Sequence, residues 1–219
     1  YFKGFAMTAV TAITAQNTKG VQSIYPLPKE IVIDQINSVM DDLTPDVVKI
    51  GMLADIDIIN YISTTINDHK IILDPVMVAT SGDILVNEEI IDSIKNNLLK
   101  KSFLITPNIY EAQILSGIKI NNLEDQIAAG KKLKNNGCAN VLIKGGHGNL
   151  EDIHDVLITS EEKQHIFKSK KIKSENTHGT GCTLASAIAA NIGHKNDITE
   201  SIDVSIKYVQ NGINKAPGF

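Results

Sequence analysis

The chain has 219 residues, of which 42% are hydrophobic and 21% charged, enough to bury one sizeable α/β core and too well mixed for a disordered segment. A formal charge of -4 and a pI near 5.9 exclude the basic face that a general nucleic-acid or membrane-surface binder needs, and leave small molecules as the expected partners. With no apolar run of the roughly 18 residues a bilayer helix requires and no secretory leader, the expectation is a cytoplasmic protein with no membrane and no nucleic-acid partner.

Short runs rich in Val and Ile alternate with segments of helical period, the pattern of a mostly parallel sheet covered on both faces. Strands are predicted at 7–14, 47–52, 71–73, 103–106, 141–144 and 156–159. Helices are predicted at 29–43, 56–67, 87–100, 108–116, 123–136, 181–191 and 198–215. No internal repeat, low-complexity tract or long linker interrupts them, so 1–219 reads as a single domain.

Ligands of open parallel sheets bind beyond the carboxyl ends of the strands. Those ends carry Gln16-Asn17-Thr18, Gly51-Met52-Leu53, Asp74-Pro75-Val76-Met77, Thr106-Pro107-Asn108 and Lys144-Gly145-Gly146-His147, a polar and glycine-rich rim. All 21 cationic side chains are lysine. Phosphate chemistry would therefore rest on lysine, backbone N–H groups and metal, without an arginine fork from this chain.

Gly179-Thr180-Gly181-Cys182 opens a run of good helix formers. Glycines let backbone approach a ligand, and the free N–H groups of a helix start attract an anion, most simply a phosphate. Such a setting is expected to lower the Cys182 pKa and make it a candidate base; the alternative is a small packed residue after a plain turn. Neither the dinucleotide fingerprint nor the P-loop signature is present, so ATP would be held some other way. Cys138 and Cys182 share no CxxC spacing, and both are expected to be free.

Asn108 followed three residues later by Glu111 reads as a capping box, or alternatively as an amide and carboxylate holding water around Mg²⁺ at the phosphate end of a site. Asp74, an acid directly after an apolar strand, is a comparable candidate for the metal region. Lys144 ends a strand before two glycines, so its ammonium can meet a phosphate or simply snorkel to solvent. His147 and His178 read as ordinary loop histidines, and KSKKIK at 168–173 as a solvated face or strand edge.

Taken together, TAITAQNTKGVQS (11–23), DVVKIGMLAD (46–55), LDPVMVATSGD (73–83), LITPNIYEA (104–112), LIKGGH (142–147) and NTHGTGCTLASAIAA (176–190) closely resemble the hydroxymethylpyrimidine/phosphomethylpyrimidine kinases of thiamine biosynthesis. The collinear resemblance spans essentially the whole chain. It implies a ribokinase-like three-layer α/β/α sandwich with a mostly parallel central sheet. It also implies ATP as co-substrate with Mg²⁺, two successive phosphoryl transfers, first to 4-amino-5-hydroxymethyl-2-methylpyrimidine and then to its monophosphate, and a homodimer. By the same resemblance Gln16 reads the aminopyrimidine edge, and Thr14, Met52 and Val76 line the pocket. Asp74 and Glu111 fall on the metal region, Lys144 and Asn108 on the ATP phosphates, and Gly179, Thr180, Gly181 and Cys182 on the anion hole and its catalytic residue. Most ribokinase-like sugar kinases carry aspartate in that last place, so Cys182 marks the subfamily. The family's N-terminal substrate-binding segment and its C-terminal extension have no counterpart between Tyr1 and Phe219, as expected of a truncated chain. The rival readings are a vitamin B6 kinase of the same superfamily and a non-catalytic pyrimidine-binding sensor.

Overall fold

The computed structural model describes residues 1–17, 20–66, 68–78, 85–146, 152–172, 174 and 177–216. Two continuous apolar runs set its centre. Strand β4 (Lys70–Leu73) and strand β6 (Asn140–Ile143) are buried on both faces, as parallel strands between helical layers must be. With β3 (Val47–Ile50) and β5 (Leu104–Ile105) they form a parallel set in the order β3-β4-β5-β6, extended antiparallel by β7 (Asp152–Ile158) and β8 (Gln164–Lys170).

Period-two alternation divides the core between the faces. Ile72, Leu104, Leu142 and Leu157 pack with Leu184, Ile188 and Ile192 of helix α6 (Thr180–Gly193) and Ile202 and Ile206 of helix α7 (Ile198–Lys215). Their neighbours Ile71, Leu73, Ile105, Val141 and Ile143 face the opposite cluster. That cluster draws on α1 (Lys29–Asp42), α2 (Ile56–Thr65), α3 (Glu88–Ser93), α4 (Ile109–Ser116) and α5 (Leu123–Asn135). The result is the expected α/β/α sandwich. Polar N-caps start several of these helices: Asp55, Asn87, Asn108, Asn122 and Asp197 each accept backbone N–H groups of the first turn. No helix among the described residues is long and apolar enough to cross a membrane.

Three expectations need correction. The predicted strand at 7–14 is displaced: β1 (Ala12–Asn17) pairs antiparallel with β2 (Gly20–Pro26), a strand the apolar pattern did not reveal. Upstream, Val10 bonds its backbone N–H and C=O to the Gln35 amide side chain instead of to a strand. The helix expected over 87–100 changes pitch, from α3 through a π turn at Ile94–Leu98 to a 3₁₀ turn at Leu99–Lys101. That change sets Ile94, Leu98 and Leu99 all against one core. Strand β7 begins earlier than expected, and β8 is an additional half-exposed edge strand that takes in the first part of KSKKIK.

The crossing from β6 to β7 is tightly constrained, and this sets the position of Lys144. Asp155, buried in β7, accepts the Gly145 N–H at 2.7 Å. Gln126 of α5 donates to the carbonyls of Ile143 and His154 at 3.0 and 2.9 Å. A Cβ on Gly145 would lie 2.2 Å from the His154 carbonyl oxygen, so only glycine fits there.

Burial pushes the Asp155 carboxyl up from 3.8 to about 6, against the opposing pull of the Gly145 N–H and Lys144. Between these two values the folded protein holds its proton more tightly than the unfolded chain, so stability falls as pH rises through that window. We expect a loss of about 2 kcal/mol between pH 4 and 7 from this group. Asp155→Asn removes that component, and urea unfolding across the same pH range should give a visibly flatter curve; an unchanged slope would contradict the assignment.

Candidate active site

Three adjacent strand ends are tied to one another before any ligand is considered. Asp74, two per cent exposed just past β4, gives its N–H to Ile50 at the end of β3. Its Oδ1 accepts from Thr106 Oγ1 at 3.0 Å and from Lys144 Nζ at 2.7 Å. Thr106 follows β5, and Lys144 follows β6 with its backbone N–H on Pro107. The Lys144 side chain is 12% exposed, and desolvation works against its charge. Attraction to Asp74 and Glu111 outweighs this and raises its pKa, so Lys144 remains an ammonium.

Asn108 and Glu111 form the capping box anticipated from their spacing. Asn108 Oδ1 accepts the Glu111 N–H at 2.9 Å, and Glu111 Oε2 accepts the Asn108 N–H at 2.8 Å. Glu111 does more than cap. Its Oε1 accepts the Met77 N–H at 3.3 Å, binding the loop after β4 to the start of α4. Burial pushes its carboxyl up to about 7, opposed chiefly by Lys144. Two buried carboxylates, Asp74 and Glu111, thus share the charge of Lys144.

Helix α6 begins at Thr180, one residue earlier than expected, with Gly179 before it in the left-handed region at φ 77. Thr180 Oγ1 donates to the Thr177 carbonyl at 2.8 Å, and Thr183 Oγ1 to the Gly179 carbonyl at 2.9 Å. Gly179, the residue before the helix, has no side chain to cap it, and among the described residues no side-chain hydrogen bond to the first N–H groups is found. A Cβ on Gly181 would lie 3.4 Å from Lys144 Nζ, which sets the ammonium beside this first turn. Cys138 and Cys182 are both free, Cys138 buried and inert with its thiol pushed up to about 12 by desolvation.

The expected lowering of the Cys182 pKa is not found: the thiol is raised. The residue is open to solvent as a whole, yet desolvation of its sulfur is the largest cause. Lys49 and Lys144 pull the other way, while the Asp74 carboxylate, a hydrogen-bond partner of the thiol, adds to the rise. The helix start and Asp74 were each visible in the sequence, whereas the burial of the sulfur and its contact with Asp74 were not.

Gln16, at the end of the β1–β2 hairpin, reaches across to the glycine turn, with Nε2 at 3.2 Å from His178 Nε2. Thr14 lies in β1 opposite Ile24, and a bulge between Ala15 and Gln16 separates it from Gln16. Met52 and Val76 are partly buried just past β3 and beside Asp74. Met52 offers its carbonyl to Thr11 Oγ1 at 2.9 Å. No described hydrogen bond joins the side chains of Thr14, Met52 or Val76 to the charged cluster. His147 lies outside the described residues.

Lys49 and Asp155 were not singled out from the sequence, and Thr106 appeared there only as part of the strand-end rim, without a role. Each had a signal: a lysine inside the apolar run VVKIG, an acid inside HDVLI, and a threonine directly after LI.

The family described as phosphomethylpyrimidine kinase matches residues 1–219. The hydroxymethylpyrimidine/phosphomethylpyrimidine kinase of Bacillus subtilis is 38% identical over 98% of this chain and 80% of its own. A phosphomethylpyrimidine kinase crystal structure from Clostridium difficile superposes with a TM-score of 0.83 at 35% identity, covering 96% of this chain and 87% of that one. An ADP complex of Bacillus subtilis pyridoxal kinase superposes with a TM-score of 0.89 at 28% identity, covering 100% and 83%. With this fold, a lysine–aspartate pair at the strand ends and a cysteine in the first turn of a glycine-led helix, the chain belongs to the phosphomethylpyrimidine kinase family.

Proposed function

We infer that this chain transfers the γ-phosphoryl group of ATP to the alcohol of 4-amino-5-hydroxymethyl-2-methylpyrimidine and then to the resulting monophosphate, in thiamine biosynthesis. The reading is supported above all by the convergence of Cys182, Asp74 and Lys144 at the uncapped first turn of α6. In it, Gln16 reads the polar edge of the pyrimidine, with Thr14, Met52 and Val76 around the ring. The γ-phosphoryl approaches the N–H groups of Gly179, Thr180 and Gly181, with Lys144 beside them and Asn108 at the phosphate end.

Most of the catalysis is then positioning and neutralisation of charge. The alcohol oxygen attacks phosphorus as its proton passes to Cys182, and the ADP oxygen leaves with its bonding electrons. The raised pKa makes the thiolate less populated but a stronger acceptor once formed.

The donor set fits Mg²⁺: buried Asp74 and Glu111 share one lysine, leaving a local excess of negative charge, and both are oxygen donors. Glu111 already accepts a backbone N–H on each oxygen, so it would hold the ion through water, together with Asp74. The ion would supply charge neutralisation on the phosphates. A homodimer and a cytoplasmic location belong to the same proposal and rest on the family resemblance alone.

The pyridoxal kinase likeness favours a second reading, in which the acceptor is the hydroxymethyl group of a pyridine. Incubation of the full-length protein with ATP and each alcohol, with product masses resolved, separates the two. We expect pyrimidine mono- and diphosphate; pyridoxal phosphate alone would move the chain to vitamin B6 metabolism, and no turnover would favour a sensor. In the same assay Cys182→Ala should slow alcohol phosphorylation about 100-fold or more, within the usual range for a lost general base, and monophosphate phosphorylation far less. Equal losses in both steps would remove Cys182 from the role of base.

A further inference from the structure

The two transfers differ in the charge of the acceptor: the first is to a neutral alcohol, the second to a phosphate monoester carrying about two negative charges near neutral pH. That additional charge must sit against the γ-phosphoryl group of ATP, and Lys144 is poorly placed to serve it. Its ammonium is held by Asp74 at 2.7 Å and attracted by Glu111.

Among the described residues, Lys49 is a second cation near Cys182. Alternation along β3 turns Val48 and Ile50 toward the helices α1 and α2, and Val47 and Lys49 toward α6. A Cβ on Gly51 would lie 2.8 Å from Lys49 Nζ, so the ammonium rests directly over the glycine that precedes Met52. It acts on Cys182 as the strongest of the charges that favour the thiolate. Lys49, Gly51 and Met52 line an open cleft of about 1010 Å³ together with residues 1–12 and α1; Cys182 is not in its lining, but Ser186, one turn along α6, is. Among the described residues no carboxylate forms an ion pair with Lys49. A half-buried ammonium without a carboxylate, between the pyrimidine-side loop and the catalytic turn, is a cation available to a ligand.

We propose that Lys49 binds the phosphate of the monophosphate acceptor and so determines competence for the second transfer. This rests on the two-step kinase reading above. In that step a phosphate oxygen of the pyrimidine monophosphate attacks the γ-phosphorus of ATP, the bond from that phosphorus to the ADP oxygen breaks, and ADP leaves with the electron pair. The attacking oxygen is already anionic, so no proton has to be removed. Lys49 takes no part in proton transfer and offsets repulsion between acceptor and donor phosphates. Glycine at 51 leaves room for the lysine two positions before it on the same face.

The test is steady-state kinetics of each transfer separately, hydroxymethylpyrimidine alone and its monophosphate alone, in full-length wild-type protein and in Lys49→Met, Lys49→Gln and Lys49→Arg. A lost charge-assisted contact predicts that the KM for the monophosphate rises about tenfold or more in the neutral variants. The KM for the alcohol should stay within about twofold, and arginine should restore most of the loss. Unfolding midpoints identify a neutral variant that folds normally, and either one suffices. Because Lys49 also favours the Cys182 thiolate, kcat for the alcohol can fall as well, so KM is the readout: equal rises in KM for both acceptors, or an unchanged monophosphate KM, would overturn the assignment while leaving the kinase reading intact. Wild-type protein that phosphorylates neither acceptor would overturn both, and would do so before any variant is compared.

Discussion

The buried pair of Lys144 and Asp74 is the interaction on which the site is built. Asp74 is carried by the loop after β4 and Lys144 by the end of β6, with β5 lying between them in the sheet. The 2.7 Å contact spans the middle strand, and Thr106 from that strand donates to the same carboxylate oxygen. A charge so far from water is tolerated only when its partner and hydrogen bonds are in place. The pair therefore demands correct register of three parallel strands, which the continuous apolar runs of β4 and β6 secure. Its return is an ammonium held beside the first turn of α6.

Other parts of the fold serve the same constraint. Asp155 and Gln126 fix the path of the chain just after Lys144, and Glu111 ties the loop that follows Asp74 to the helix that follows Thr106. Three buried acids, Asp74, Glu111 and Asp155, act on one buried lysine, an imbalance that a bound divalent cation would relieve. Because the chain has no arginine, anions meet point-charge ammonium groups and backbone N–H groups rather than a planar fork. This arrangement leaves the acceptor some freedom of position, which suits a site whose acceptor is first an alcohol and later a phosphate.

Much of this was legible in the sequence because it follows from local rules. Continuous Val and Ile runs located β3, β4 and β6, and the Asn108–Glu111 spacing predicted a capping box that is present. The glycine-led start of α6 was found to within one residue. What escaped depends on partners remote in the chain. β1 could not be placed from its own composition, because its neighbour β2 decides its register, and β8 is too polar to announce itself as a strand. The Cys182 thiol was expected to be acidic from its helix position; desolvation of its sulfur in the folded site, with Asp74 brought in by another strand adding to it, reverses the sign. Lys49 was passed over because a lysine in a short strand reads as a surface residue until the facing helix is known.

The most direct test of this account is a double-mutant cycle on the central pair, followed by urea unfolding at neutral pH. Lys144→Met and Asp74→Asn should each cost about 3–5 kcal/mol, because each strands a buried charge or its hydrogen bonds, whereas the double variant should recover much of that loss. A coupling of about 2 kcal/mol would support the pair as the organising interaction. Additive costs would contradict it, and would mean that the strand ends are held together by packing alone.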